Sequence, residues 1–495
     1  MFFHKKLTLF FLFFVASIPS FANVNQHFEA IKSNPKALYA FFKDMPKGGE
    51  LHYHLEGGAY PETLLSLAAR NNYCIDQTTS TISKTSVACQ GNLTKELLTN
   101  QQLYQQTLKA WSMEGFDAHQ ESAHDHFYAT FFKFMPAAVD FFPELLASVM
   151  QRAAEQHELY LEVMLLVDNA RSATFANQLH ATHSLADKRN RLLANTTFQN
   201  NIQFTVEETN RILIKTHQHL NCDTLASPAC GVTVKFQYYI LREQPLDNVF
   251  AQALNAFEAA NRSKDIVGIN LVQAEDGKIS LRDYKAQMAI INFMHQTYPQ
   301  VHIALHAGEL TPQLADKKAL RSHIHDALFT GHAERIGHGV DILHEQKSDL
   351  ILNYMTQNAV AVEINLTSNQ SILQVDEHQH PLPVYLTNKV PVVLSTDDEG
   401  ILRTSLTQQY VDAVQKYALD YATIKTINRN ALTYSFLPGN SIWRDPRLGI
   451  KISACQNLQD ASCKKFIQSS HKAQLQWQLE QQLMEFENQA FPDNA

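Results

Sequence analysis

The sequence has no C-x-x-C pair, no internal repeat, no low-complexity stretch and, after residue 18, no apolar run long enough to span a bilayer. Each absence removes a class of protein. Cysteine-bound zinc sites typically use closely spaced C-x-x-C pairs, so that kind of metal centre is disfavoured. The missing repeats exclude a solenoid or propeller array. Basic residues are also short: 41 Lys and Arg face 49 Asp and Glu, for a formal net charge of -8. There is no basic footprint for a nucleic acid. A glycine-rich phosphate turn after an early strand is absent too. Gly57-Gly58 is a poor one, which weighs against an open doubly wound sheet.

What remains is ample for a large core. The chain has 495 residues, 45% hydrophobic and 18% charged, enough for one large domain with insertions or two ordinary ones. The start reads as an export leader: two lysines within Met1 to Lys6, an uncharged apolar run from Leu7 to Ile18, then Ser20-Phe21-Ala22 with small residues at both positions a signal peptidase inspects. Cleavage is expected after Ala22, giving a mature chain outside the cytoplasm, in periplasm or medium, with no membrane attachment. The six cysteines form three near-sequence pairs, Cys74 with Cys89, Cys222 with Cys230 and Cys455 with Cys463, each bracketing a polar stretch. An oxidising compartment favours three local bridges.

Eight short β-type runs are spaced along the chain: Gly49 to Leu55, Leu159 to Leu166, Val232 to Ile240, Ile266 to Leu271, Val301 to Leu305, Arg335 to Gly337, Val360 to Asn365 and Val390 to Ser395. Several are continuously apolar, as strands buried on both faces require. Helical periodicity lies between them, as in Phe250 to Asn261 and Asp283 to Gln296. This alternation predicts an α/β fold, a (β/α)8 TIM barrel. Residues 23–495 are expected to form one such domain, with long insertions at about 57–157 and 168–231 and a terminal helix at about 471–487.

The unusual polar residues cluster at the ends of these runs. His52 and His54 end the first, His306 and Glu309 follow the fifth, His338 ends the sixth, and Asp397 and Asp398 end the eighth. In a barrel all strand C-termini open on one mouth, so these residues converge. His52 and His54 are two apart on a strand and share a face. With His306 and Asp397 they compose a mixed site for one divalent ion, zinc first, leaving room for water. Glu309 is placed to move a proton, and His338 to orient the water or accept its proton. Each piece alone is weak: an H-x-H is usually two unrelated histidines, and adjacent aspartates are usually a solvated turn. Their order at successive strand ends carries the reading.

With these motifs the chain resembles the adenosine deaminase family of the metal-dependent amidohydrolase superfamily. The matching stretches are Lys47 to Gly57 (KGGELHYHLEG), Val267-Gly268-Ile269-Asn270-Leu271, His306-Ala307-Gly308-Glu309, Arg335-Ile336-Gly337-His338-Gly339 and Ser395-Thr396-Asp397-Asp398. The resemblance implies one zinc on His52, His54, His306 and Asp397. It implies Glu309 as proton donor to the purine ring nitrogen, with His338 assisting the attacking water. Asp398 is implied to bond the purine's five-membered ring and to help hold the hydroxide, and Gly268 to contact the purine's other edge. The reaction implied is loss of the 6-amino group of adenosine or deoxyadenosine as ammonia. Glu56 stands where intracellular relatives usually carry an Asp that reaches towards the ribose, and Asn270 where an Asp is frequent. The leader, the cysteines and the long first crossover resemble the secreted adenosine deaminase and growth-factor branch. The stretch between the leader and His52 is too short for that branch's dimerisation extension, and no oligomeric state follows from the sequence.

Other readings compete. The same chemistry suits adenine, AMP or a methylated adenosine. AMP would need a basic phosphate pocket, for which only Arg403 and Lys235 offer themselves. A non-catalytic nucleoside-binding or signalling protein conflicts with a complete ligand and acid set. A cytidine-deaminase zinc site would follow His54-Leu55-Glu56 with P-C-x-x-C, which is missing. The His119 to Phe134 stretch reads mainly as packing and surface, with Trp111, His126 or Phe127 as lid candidates. His378 and His380 read as solvated loop residues, and Asp341 and His344 as helix-start residues.

Overall fold

The computed structural model describes residues 21–84, 89, 91–117, 119, 121–180, 183–224, 227–489 and 491. Of the expected leader only Phe21 and Ala22 fall among them, at the start of a helix over Phe21–Ile31; the rest lies outside the described residues.

Eight parallel strands follow one another in chain order: β1 Lys47–His54, β2 Glu158–Leu165, β3 Thr233–Leu241, β4 Ile266–Val272, β5 His302–Ala307, β6 Arg335–His338, β7 Ala361–Ile364 and β8 Val392–Leu394. The ring closes between the segment after β8 and β1. The His54 N–H donates to the Asp397 carbonyl at 3.0 Å, and the Asp397 N–H donates to the His52 carbonyl at 3.3 Å. Sequential parallel order needs a crossover between each pair, so helices coat the outside and the strands are buried on both faces. This is the expected (β/α)8 barrel. The last strand is shorter than its apolar run because Pro391 has no N–H for the ladder; it supplies only its carbonyl, to the Val362 N–H at 2.9 Å.

The helices read from periodicity are present and longer, Leu246–Arg262 and Lys278–Thr297. The first crossover holds a three-stranded antiparallel sheet in which Cys74–Ile75 pairs with both Ile82–Ser83 and Asn92–Leu93. It also holds helices Gln101–Ala110, Ala123–Ala138 and Phe142–Glu155. The second crossover carries helices Leu185–Leu193 and Thr196–His219. All three cysteine pairs are bridged as read from their spacing. The terminal helix spans His471–Glu487; it buries Leu475, Leu479, Leu483 and Phe486 at helical spacing, and Glu480 pairs with Arg429 of the helix Tyr421–Thr433. No described helix is long and apolar enough to cross a membrane.

Candidate metal and catalytic site

Alternation along β1 sends His52 and His54 into the barrel, while Tyr53 between them turns away and donates to Glu399 at 2.8 Å. At the mouth the two imidazoles meet His306 and Asp397. One nitrogen or oxygen atom from each of the four lies within 4.8 Å of all the others. Asp397 Oδ1 is 3.2 Å from His52 Nε2 and 3.3 Å from His54 Nε2, and the Nε2 atoms of His54 and His306 are 3.2 Å apart. All four side chains are buried.

The surroundings fix which nitrogen each imidazole presents. His52 Nδ1 is 2.7 Å from Glu363 Oε2, and a carboxylate accepts there, so Nδ1 carries a proton and Nε2 is the nitrogen turned to the cluster. Glu363 is held by Arg335, whose guanidinium also pairs with Glu162 and lies over the Phe436 ring. Asn270 does the same for His306. Its Oδ1 accepts the His306 backbone N–H at 3.0 Å and the ring Nδ1–H at 2.9 Å, and its Nδ2 donates to Gln237 at 3.0 Å. Asn270 therefore supports His306 rather than a ribose contact. His52 Nε2 is buried with no hydrogen-bond partner. Lone pairs facing one another around an acceptor carboxylate are costly unless a cation lies between them, so the donor set fits a divalent ion. Gly337 leaves the space: a Cβ there would stand 2.8 Å from the His52 ring.

Two of the mouth residues have strained backbones. His338 and Asp397 both have a φ of 67°, a region that side chains with a Cβ rarely occupy. Asp397 is held there by the barrel-closing bonds and by Ser368, which donates to its Oδ2 at 2.7 Å. His338 Nε2 points back into the cluster, 3.8 Å from Glu309 and 3.9 Å from Asp397.

Electrostatics separate the carboxyl groups. Burial and then the Asp397 charge raise Glu309 to about 8, so it holds a proton at neutral pH. Burial and the same charge raise Asp398 well above the carboxylate range. Asp398 Oδ1 has no partner and packs where a Cβ on Gly57 would lie. Burial raises Glu56 to about 7, against the hydrogen bond it accepts from Tyr239 at 3.0 Å. Burial lowers His54, and it lowers His338 to about 3. The Glu309 turn is clamped from below: Glu275 accepts the Gly308 N–H at 3.1 Å and the Glu309 N–H at 2.9 Å, and is itself bonded by His323 at 2.7 Å.

Above the cluster opens a cavity of about 460 Å³, the size of a small-molecule site, lined by His54, Glu56, His306, Glu309, His338, Asp397 and Asp398. Its roof is one face of the helix Ala123–Ala138. His124, Phe127, Tyr128, Phe131, Phe132 and Met135 follow the i, i+3, i+4 spacing and all line the space. The opposite face, with Ala123, Thr130, Phe134 and Ala137, is buried against the protein.

Several expectations need correction. Gly268 lies near the start of β4, paired with His302 at the start of β5 and packed beneath Phe436, at the end of the barrel away from the mouth. The β4 residues that reach the cavity are Val272, Gln273 and Ala274, with Gln273 at a φ of 85°. Of the lid candidates only Phe127 lines the cavity. The Trp111 ring N–H donates to the Ser80 carbonyl and His126 is bonded to Glu121 and Ser112, so both are packing residues. His380 is buried rather than solvated, and Asp341 is buried behind Gly308 rather than starting a helix. Lys235 pairs with Asp265, and Arg403 with Glu62 and Glu114; neither lines the cavity.

The family model described as adenosine deaminase matches residues 215–442. Adenosine deaminase of Clostridium acetobutylicum is 31% identical over 137 residues, 28% of this chain and 38% of that protein. The Edwardsiella ictaluri enzyme is 32% identical over the same shares. The chain thus spans under two fifths of these relatives' length. Among solved structures, Arabidopsis ADAL complexed with IMP aligns with a TM-score of 0.54 at 16% identity, over 90% of this chain and 99% of that one. Adenine deaminase of Arthrobacter aurescens aligns at 0.52 and 17%, over 79% and 94%. A Burkholderia ambifaria amidohydrolase with bound Zn aligns at 0.50 and 14%, over 90% and 94%. At these identities the structures share the fold.

Proposed function

Since this chain is related to the adenosine deaminase family of the amidohydrolase superfamily, we propose that it is a zinc-dependent hydrolase that converts adenosine, and deoxyadenosine, to inosine-type products and ammonia outside the cytoplasm. The observation that carries the proposal is the meeting of His52, His54, His306 and Asp397 beside the buried Glu309 at the floor of a purine-sized cavity.

One zinc per chain would be held by His52, His54, His306 and Asp397. Bound there, zinc supplies Lewis acidity that brings the ionisation of water towards neutral pH. The remaining work belongs to the chain. The roof aromatics Phe127, Tyr128 and Phe131 offer apolar surface for a planar base. Glu309 gives its proton to the ring nitrogen beside the reacting carbon as the water oxygen bonds to that carbon, and the carboxylate so formed takes up the proton the water loses. Glu309 passes that proton on to the 6-amino group, which leaves as ammonia as the carbon–nitrogen bond breaks, and the oxygen left on the carbon returns its remaining proton to Glu309 as it becomes the carbonyl. His338 contacts the attacking water, Asp398 offers a buried hydroxyl or carboxylate oxygen to the five-membered ring, and Glu56 with Tyr239 faces the sugar. The buried, roofed site excludes bulk water, which strengthens each of these contacts.

Nucleotides are the competing substrates, because the Arabidopsis neighbour was solved with IMP. The cavity lining argues for the nucleoside: it contains Glu56 and Glu243 and, among the described residues, no Lys or Arg. The three disulfides suit export. The test is ultraviolet-monitored turnover by zinc-loaded protein of adenosine, deoxyadenosine, adenine, AMP and N6-methyladenosine. Adenosine and deoxyadenosine are expected to react fastest; a flat trace with both removes the proposal.

A further inference from the structure

His338 is reached from behind by a buried chain of side chains that the proposed chemistry does not use. Asn369 Nδ2 is 3.0 Å from His338 Nδ1, and Asn369 Oδ1 is 3.0 Å from His380 Nε2. The Leu382 backbone N–H donates to His380 Nδ1 at 3.2 Å. His338, Asn369 and His380 are all buried.

A backbone amide can only donate, and this single fact propagates through the chain. His380 Nδ1 must accept, so a neutral His380 carries its proton on Nε2. Burial, helped by Lys416, lowers His380 to about 3, so the ring is neutral at ordinary pH. Its Nε2–H needs an acceptor, which fixes Asn369 with its oxygen towards His380 and its amide NH2 towards His338. His338 Nδ1 then accepts from Asn369. Asn365 Nδ2, 3.5 Å from the same nitrogen, also presents hydrogens to it. With Nδ1 accepting, the His338 ring proton must sit on Nε2, the atom that points into the cluster and has no hydrogen-bond partner among the described residues.

We propose that His380 and Asn369 are positioning residues that lock His338 in its Nε2–H tautomer, so that His338 meets the attacking water as a hydrogen-bond donor and not as the base that takes its proton. The inference rests on the proposed role of His338 beside the water, and it narrows that role from two to one. Glu309, once it has given its proton to the ring nitrogen, is then the carboxylate left to take the proton from the water. The arrangement resembles other catalytic histidines in that a neighbour chooses the tautomer, but here the choice is made by an amide and a second histidine rather than a carboxylate.

The direct test reads the ring and not the turnover. In zinc-loaded protein with 15N-labelled histidine, the His338 ring is expected to show a protonated Nε2 and a bare Nδ1. Asn369→Asp places an acceptor against Nδ1 and is expected to invert that pattern, while kcat for adenosine falls at least tenfold and KM changes less than threefold. His380→Phe removes the donor to Asn369 and is expected to lower kcat, and His380→Gln, whose amide can still donate, to restore most of it. A bare Nε2 in the unaltered protein overturns the inference. So does an inverted tautomer in Asn369→Asp with kcat unchanged, or equal kcat in His380→Phe and His380→Gln. If the unaltered protein deaminates nothing, the proposed function fails while the nitrogen spectrum still decides the tautomer.

Discussion

In the proposed reaction Glu309 is the residue on which the chemistry turns. Its main chain is clamped by Glu275, and burial under the roof, with the Asp397 charge beside it, raises it to about 8. Glu309→Gln keeps the shape and hydrogen bonds but cannot give a proton. It is expected to bind zinc at the unaltered stoichiometry and to lose at least a hundredfold in kcat, measured by ultraviolet turnover beside metal analysis. Retained turnover would assign the acid elsewhere. The residues that proved legible in the sequence were those whose chemistry is rare at a strand end: His52, His54, His306, Glu309, His338 and Asp397. Gly268 was misplaced because a glycine in a strand carries no sign of which end of the barrel it occupies; its pairing with His302 decides that. His380 was misread because its burial comes from Asn369 and Leu382, and a polar neighbourhood in sequence says nothing of such partners.

At the scale of elements, short β-type runs, several of them continuously apolar, marked all eight strands, as burial on both faces requires. The helix Ala123–Ala138 was harder. It is apolar on two faces, one packed on the protein and one roofing the cavity, so in sequence it reads mainly as packing and surface. Only the fold separates the roof residues from the packing ones. Phe131 belongs to the roof, and its loss should weaken substrate and transition-state contacts alike. Phe131→Ala is expected to raise KM for adenosine severalfold with kcat within about twofold, by steady-state kinetics. An unchanged KM would separate this helix from the substrate. Phe134, three residues on and facing inward, serves as the contrast: its truncation should lower the melting temperature by the equivalent of roughly 3 kcal/mol or more.

At the scale of the whole molecule, the barrel brings together residues from positions 52 to 398 because its strands are parallel and their C-terminal ends share one mouth. Closure is made by the catalytic segments themselves. The bonds between His54 and Asp397, and between Asp397 and His52, complete the ring and position three of the four candidate ligands at once. Metal, barrel closure and activity are therefore expected to depend on one another. The measurement that tests this account most directly is a zinc titration of metal-free protein followed by adenosine turnover. Activity should be absent without metal, rise in proportion to added zinc and level off at one zinc per chain. Full turnover in the metal-free protein, or one tightly bound zinc with no turnover of adenosine or deoxyadenosine, would contradict it.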